Sequence, residues 1–175
     1  MGISKAEPSP LKPPELLTDQ HDLSSFTSGE PALDDWLRRR ARASQISGAS
    51  RTYILRQGER VIGFYSLASG AISIADAPGR VRRNMPDPIP MAVVGRLAMA
   101  KGYQGRGLGK LLLRDCVLRT QRAAEIIGVR GLLVHALSPA AKRFYENNGF
   151  QETPSNPMTL VVALKDAITV LTRAK

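Results

Sequence analysis

The residues best suited to chemistry lie in one glycine-rich turn, Gln104-Gly105-Arg106-Gly107-Leu108-Gly109. Residues 91–99 before it are apolar and β-branched enough for a buried strand, and apolar residues recur at helical spacing after it, which predicts a strand, a glycine turn and a helix. Glycines permit positive φ and a close approach of backbone to ligand, while the first amides of a helix point outward without partners. Such amides, at the positive end of the helix dipole, attract phosphate. The turn is predicted to bind a phosphate group; a tight connection that binds nothing stays open on this feature alone.

The segment around the turn is basic and carries no acid. No Asp, Glu or His lies between Pro88 and Arg114, and the basic residues there are Arg96, Lys101, Arg106, Lys110 and Arg114. The spacing fits neither the G-x-G-x-x-G of a dinucleotide-binding turn nor the G-x-x-x-x-G-K-[ST] of a P-loop. The pattern present is Q-x-x-G-x-G.

Tyr145 lies near the end of a second predicted helix. A tyrosine at helical spacing is commonly a core residue with its hydroxyl at the rim. His135 lies in an apolar stretch, where packing is the favoured role, and His21 lies in a polar one. Two histidines and one cysteine predict no metal site.

Length and composition indicate one domain in the cytoplasm. The chain has 175 residues, of which 43% are hydrophobic, and no apolar run long enough to span a bilayer. The start contains no signal-peptide core, and the one cysteine, Cys116, excludes an intrachain disulfide. We expect a flexible proline-rich extension at 1–14, a single domain at 15–165 and a tail or short helix at 166–175.

The order of elements predicts an α/β (α+β) layered sheet with strands paired both ways. A short first strand is expected at 14–17, followed by a helix capped by Ser28 or Gly29. This helix carries Leu33, Trp36, Leu37 and Ala41 on one face, and β-like runs follow at 51–57, 61–68 and 70–75. Residues 76–90 contain four prolines and are predicted to form a long loop with no core residues of its own. After the central strand and its helix, which is expected to reach about residue 127, come a strand at 131–137, a helix at 139–147 and a last strand at 158–164.

The turn resembles the pyrophosphate loop of the GCN5-related N-acetyltransferases (GNAT), and Phe144-Tyr145-Glu146-Asn147-Asn148-Gly149-Phe150 resembles their F-Y-x-x-x-G-F. The resemblance implies the GNAT acyl-CoA N-acyltransferase fold, a mixed central sheet flanked by helices, with acetyl-CoA between two splayed strands. It also implies that Tyr145 is the catalytic residue and protonates the departing thiolate. A phenol with a pKa of about 10 can donate a proton to a thiolate of comparable basicity. The cofactor-binding residues it implies are Leu97, Ala98, Met99, Gln104, Gly105, Arg106, Gly107, Leu108, Gly109, Lys110, Ser138 and Phe144.

Further segments resemble the acetyltransferase toxins of bacterial type II toxin–antitoxin pairs, among them Leu33-Asp34-Asp35-Trp36-Leu37, Ser50-Arg51, Gly95-Arg96-Leu97-Ala98 and Val134-His135-Ala136. The resemblance implies acetylation of the α-amine of aminoacyl-tRNA, which blocks translation. It also implies a ribbon-helix-helix antitoxin that reaches operator DNA, and a homodimer.

Charge and the scarcity of acids agree with that acceptor. The formal net charge of +10 and a pI near 10.4 favour a polyanionic partner. An α-amine, with a pKa of about 7.7 to 8, loses its proton more readily than the ε-ammonium group of a lysine and therefore depends less on a general base. From charge and location, the candidate tRNA contacts are Arg38, Arg42, Arg82 and Arg83. Two alternatives remain: an acetyltransferase for a protein N-terminus or small amine, and a non-catalytic basic module that binds nucleic acid.

Overall fold

The computed structural model describes residues 7–173, and its centre is a seven-stranded sheet with the order β1-β2-β3-β4-β5-β7-β6. Neighbouring strands pair antiparallel except β4 and β5, which are parallel. This mixed sheet confirms the predicted fold class. The strands are β1 (Glu15–Leu16), β2 (Arg51–Gln57), β3 (Arg60–Ile72), β4 (Ile89–Met99), β5 (Gly131–His135), β6 (Gln151–Thr153) and β7 (Asn156–Ala163).

Helices cover both faces of the sheet. Successive strand residues turn to opposite faces, so Phe64 joins a core with the first two helices, whereas Tyr65 joins a core with α4, α5 and α6. A third core lies under α3. The helices are α1 (Pro31–Arg39), α2 (Ala41–Ser47), α3 (Gly79–Arg82), α4 (Leu108–Ala124), α5 (Pro139–Asn147) and α6 (Leu164–Thr172), with a 3-10 turn at Ile74–Asp76.

Three local predictions were wrong. Strand β3 continues through Gly70, where two separate runs were predicted. Gly70 allows close packing of β3 against β4, because a Cβ there would approach Cγ2 of Val93 to 2.6 Å. The first helix is interrupted at Arg40, and its N-cap is Glu30 instead of Ser28 or Gly29.

The predicted loop at 76–90 does contribute to the core. It contains α3, and Ala77, Val81 and Ile89 are buried together against β5 and β7. Single apolar residues among prolines and arginines have no helical or alternating period, so the pattern did not reveal them.

The described parts of the two chain ends lie close to the sheet. Leu11 forms a bridge to Gln57, and the amide of Lys12 donates to the carbonyl of Arg56 at 3.1 Å. Residues 164–172 form α6, the helical alternative for the C-terminus. Residues 1–6 of the predicted extension and 174–175 of the tail lie outside the described residues, and the predicted domain boundaries stay a prediction.

A gap between β4 and β5 positions the functional site. The parallel pairing runs from Met91 opposite Gly131 to Val94 opposite Val134, and there it ends. Beyond that point β4 continues to Met99 along β3 alone. Gly95 sits in a β-bulge at the point of separation, and a bulge bends the strand that carries it. The two central strands therefore splay apart as the resemblance implied.

Candidate active site

A cleft of about 820 Å³ occupies the gap, between the end of β4, the glycine turn and α5. Of the predicted site residues, the structure brings these together along it: Leu97, Ala98, Met99, Gln104, Gly105, Gly107, Gly109, Lys110, Ser138, Phe144 and Tyr145. Arg106 and Leu108 are not among its lining. The guanidinium of Arg106 lies over the ring of Tyr103, 5.2 Å from its centroid, and Leu108 packs against the core.

The glycine turn leaves the first amides of α4 open. Gly105 and Gly107 have φ of +75° and +78°, although no atom lies within 4 Å of a Cβ at either position. Conformation therefore requires these glycines, and space does not. Gly107 caps the helix without a side-chain hydrogen bond, the first turn holds no acid, and the amide of Leu111 is the first to reach back to the carbonyl of Gly107. The amides of 108–110 are thus left for an anion.

The bulge also turns backbone groups of β4 into the cleft. Ala100 donates its amide to the carbonyl of Ile62 on the β3 side, at 2.8 Å. Since alternate residues of a strand direct their amide and carbonyl to opposite sides, Ala98 also faces β3, whereas Leu97 and Met99 face away from it. With β5 splayed away at this level, the amides of Leu97 and Met99 point into the cleft.

Gln104 holds the glycine turn in place. Its side-chain nitrogen donates to the carbonyl of Ser28 at 2.8 Å and to that of Met99 at 3.0 Å. These bonds connect the turn to the end of β4 and to the segment before α1. The side-chain amide hydrogens are therefore used within the protein, and Gln104 also lines the cleft.

Tyr145 is one of the residues that line the cleft. It is 5% exposed, with its ring edge-on to Phe144 and Phe150 at centroid distances of 5.1 and 5.3 Å. Its hydroxyl has no hydrogen-bond partner among residues 7–173 and is not among their fully enclosed unpartnered atoms, so it meets the cleft. Burial, with a smaller contribution from Cys116, raises the pKa of Tyr145 well above its ordinary value. The phenol therefore keeps its proton at neutral pH.

A second pocket of about 90 Å³ adjoins the cleft across Leu97 and Tyr145. Sequence reasoning missed two of its polar residues, Glu30 and Arg96, whose positions depend on the packing of α1 against the bulged part of β4. The guanidinium of Arg96 stacks over the ring of Trp36, 4.1 Å from the centroid. No local sequence pattern predicts the position of Glu30 or of Arg96 in this pocket.

His135 also lines this pocket. It was predicted to pack within a strand, but β5 ends at this residue and leaves it exposed. Its Nδ1 lies 2.9 Å from the hydroxyl oxygen of Thr159, which fixes the ring. The small pocket therefore has a carboxylate and an imidazole in its lining.

The four arginines proposed for tRNA fall into two pairs. Arg38 donates to the carbonyl of Phe26 and Arg42 to that of Thr18, so both brace the segment before α1. Arg82 and Arg83 are exposed at the end of α3, and within residues 7–173 their side chains have no hydrogen bond or ion pair. The structure brings none of the four into the lining of the cleft or the small pocket.

Between residues 7 and 173, no three His, Cys, Asp or Glu side chains are grouped so that they could hold a metal ion. No helix in that range has the length and apolar character needed to cross a membrane.

Known proteins match this chain in sequence and structure. Residues 48–152 match the family described as acetyltransferase (GNAT) domain. A "tRNA-acetylating toxin" of Mycobacterium tuberculosis is 51% identical over 88% of this chain and 93% of its own length. AtaT complexed with acetyl-methionyl-tRNAfMet is 30% identical, covers 94% of this chain and 100% of its own, and has a TM-score of 0.83. A tyrosine-to-phenylalanine mutant of the AtaT toxin, bound to the C-terminus of the antitoxin AtaR and acetyl-CoA, is 28% identical over 94% and 100%, with a TM-score of 0.78.

Proposed function

Because the chain belongs to the GNAT family of acetyltransferases, and within it to the tRNA-acetylating toxins, we propose that it acetylates the α-amino group of aminoacyl-tRNA with acetyl-CoA. Modified aminoacyl-tRNA cannot support translation, so the protein acts as the toxin of a type II toxin–antitoxin pair. The observation that carries the proposal is the joined pair of pockets, with open helix amides at one end and the Tyr145 hydroxyl between them.

The cleft fits acetyl-CoA. Its phosphates would lie on the amides of 108–110, with Lys110 beside them, and the pantetheine arm would follow the backbone of Leu97 and Met99. Glu30 is the one carboxylate among the described residues that line the cleft, and it also lines the small pocket. Acetyl-CoA supplies the activated thioester, and residues of the chain supply the remaining functions.

Two groups act on the reacting atoms. An amide of β4, from Leu97 or Met99, stabilises the negative charge that develops on the carbonyl oxygen of the acetyl group. Tyr145, which burial keeps protonated, donates its proton to the sulfur as the carbon–sulfur bond breaks. The Tyr145 hydroxyl faces the cleft from the wall that both pockets share, and the leaving thiolate would form beside this wall.

The acceptor amine enters through the small pocket. An α-amine near its ordinary pKa of about 7.7 to 8 is partly neutral at physiological pH and can attack without a strong base. Glu30 and His135 lie beside its path and hold it by hydrogen bonds. The RNA is attracted by the net charge of +10, with Arg82 and Arg83 as phosphate contacts.

The partners follow from the toxin assignment. A relative bound to the C-terminus of an antitoxin supports an antitoxin for this chain. We propose the ribbon-helix-helix type, which would bring the pair to operator DNA, and a homodimer for the free toxin. The place of action is the cytoplasm, where charged tRNA is found.

The direct test is transfer of radiolabelled acetyl from acetyl-CoA by the purified protein. A total pool of charged tRNA should take up label, and the same pool after deacylation should take up none, because only the charged pool offers an α-amine. Label on peptides or small amines but on neither tRNA pool would replace this function with the first alternative. Binding of tRNA without any acetyl transfer would establish the non-catalytic module instead.

A further inference from the structure

The small pocket contains a cation, Arg96, that has no acidic partner among the described residues. Glu30 and Arg96 are the charged side chains in the described lining of this pocket, and they form no ion pair with each other. Burial lowers the pKa of Arg96 from its ordinary value, and no neighbouring carboxylate opposes this effect. A partly buried cation without an acid is costly to hold, which favours an anionic ligand beside it.

The ring of Trp36 fixes the orientation of this cation. The carbon Cζ of Arg96 lies 4.1 Å from the centroid of the ring, which is the distance of a cation–π contact. Trp36 is itself held by the ring of Phe64, which is stacked on it with centroids 6.2 Å apart and 14° between the planes. Stacking uses the flat face of a guanidinium and leaves the N–H groups at its edge free. Arg96 can therefore bind an anion through two parallel hydrogen bonds.

The anion at Arg96 belongs to the acceptor and not to the cofactor. Arg96 lines the small pocket and is not in the lining of the cleft. The start of α4, where the phosphates of acetyl-CoA would lie, contributes Gly109 and Lys110 to the cleft and no residue to the small pocket. Arg96 also directly precedes Leu97, whose amide is a candidate to bind the acetyl carbonyl. A group bound by Arg96 is therefore near the amine that attacks.

In an aminoacyl-tRNA, the phosphate nearest to the α-amine is that of the 3′-terminal nucleotide. The ester and the ribose separate the α-nitrogen from this phosphorus by about eight covalent bonds, which span at most about 10 Å. An arginine side chain extends about 6 Å from its own Cα, and the Cα atoms of Arg96 and Leu97 are about 3.8 Å apart. The guanidinium can therefore reach this phosphate while the amine lies at the acetyl group.

We propose that Arg96, held on Trp36, binds the phosphate of the 3′-terminal nucleotide of aminoacyl-tRNA while Glu30 holds the α-amine. This assignment rests on the proposed function and adds a residue that distinguishes an amine attached to RNA from a free one. The two charged side chains of the pocket then match the two charges of the substrate, a cationic amine and an anionic phosphate.

Binding of uncharged tRNA tests the contact without the amine and without acetyl transfer. Filter binding compares an intact tRNA with the same tRNA lacking its 3′-terminal nucleotide. Arg96→Gln should weaken binding of the intact tRNA by about tenfold, the size of one hydrogen-bonded charge contact. It should weaken binding of the shortened tRNA by less than about twofold, because the phosphate that Arg96 contacts is already missing. An equal loss for both tRNAs, or a loss for neither, overturns the proposal.

Controls separate the contact from overall charge and from folding. Arg122→Gln makes the same substitution at an exposed position of α4, on the other face of the sheet, and should affect both tRNAs equally. Acetyl-CoA affinity reports on folding, because Arg96 lies outside the lining of the cleft. If Arg96→Gln binds no acetyl-CoA, Arg96→Met takes its place, since a methionine keeps an unbranched side chain against Trp36.

Steady-state transfer distinguishes a phosphate from the other anion that accompanies an α-amine, the carboxylate of a free amino acid. Arg96→Gln should raise KM for aminoacyl-tRNA by about tenfold and leave kcat unchanged, because the contact is the same in the ground state and the transition state. A variant that loses acetylation of free amino acids and keeps its KM for aminoacyl-tRNA would assign Arg96 to a carboxylate and refute the proposal. An unmodified protein that binds tRNA but transfers no acetyl refutes the proposed function alone, because the two-tRNA comparison still decides the role of Arg96.

Discussion

The two ends of the active site use different parts of the chain, backbone groups at one end and side chains at the other. The cofactor end uses the backbone: the amides of Leu97 and Met99, and those of 108–110 behind two glycines of positive φ. The acceptor end uses side chains, including Glu30 and His135, that reach one small pocket from distant parts of the chain. A backbone site depends on conformation, whereas a side-chain site depends on residue identity. Substitutions should therefore damage the two ends in separable ways.

The largest effect is expected where the two ends meet. Tyr145→Phe removes the proton donor but keeps the ring between Phe144 and Phe150, so kcat should fall by about 10²- to 10⁴-fold. Calorimetry should give an unchanged Kd for acetyl-CoA. Undiminished transfer would remove Tyr145 from the mechanism.

The same residue predicts the alkaline side of the pH profile. Because burial raises the pKa of Tyr145 above its ordinary value, the phenol stays protonated beyond about pH 10. The rate should rise as the α-amine loses its proton, near about pH 8, and should not fall again below about pH 10. A decline that begins near pH 8 or 9 and is absent from Tyr145→Phe would show that the pKa is not raised.

The second-largest effect is expected at the cofactor end. Gly107→Asp places a side chain on a backbone with φ of +78° and a negative charge at the start of α4, so Kd for acetyl-CoA should rise by about 10- to 100-fold. Gly48→Asp is the matched control, since Gly48 has φ of +82°, has no atom within 4 Å of its Cβ position and lies outside the cleft.

Calorimetry and thermal unfolding separate the two glycine variants. Both should lose about 1–2 kcal/mol of stability from the left-handed conformation, and only Gly107→Asp should lose affinity. An equal change in Kd for both variants would mean that strain, and not the phosphate site, explains the loss.

This contrast also explains what the sequence could predict. The strand, turn and helix of the cofactor end are contiguous, so residue types and spacing carried the signal, and the splayed sheet appeared as expected. The position of Tyr145 could be predicted equally well, because its motif is contiguous in the sequence. The hydrogen bonds of Gln104 could not be predicted, because its side chain bonds to Ser28, which is remote in sequence.

Tertiary packing decided the rest. Glu30 and His135 share a pocket through the packing of α1 and the end of β5, which no spacing encodes. The predicted break between two runs before Gly70 is absent, because Gly70 allows β3 to pack against Val93. In both regions a residue of ordinary type acquires its role from a neighbour far away in the chain.

A third effect, of about tenfold, is expected at the proposed RNA contacts. Arg82→Glu with Arg83→Glu removes two exposed cations and should weaken tRNA binding by that factor at physiological salt, with a shallower salt dependence. Arg122→Glu with Lys165→Glu makes the same change in charge on exposed positions of α4 and α6 and is the control. Filter binding that falls equally for both pairs would assign the effect to overall charge.

The smallest effect is expected for a single acceptor-end carboxylate. Glu30→Gln keeps the shape of the side chain and removes the charge that attracts the incoming amine, so kcat/KM for aminoacyl-tRNA should fall by about threefold, the size of an exposed charge interaction. Kd for acetyl-CoA should stay the same, because its phosphates lie at the other end. Asp35→Asn, on the solvent side of α1, is the control and should change neither. If Glu30→Gln changed the affinity for acetyl-CoA and left kcat/KM for aminoacyl-tRNA intact, the carboxylate would belong to the cofactor end. The cofactor end would then depend on a side chain as well as on the backbone.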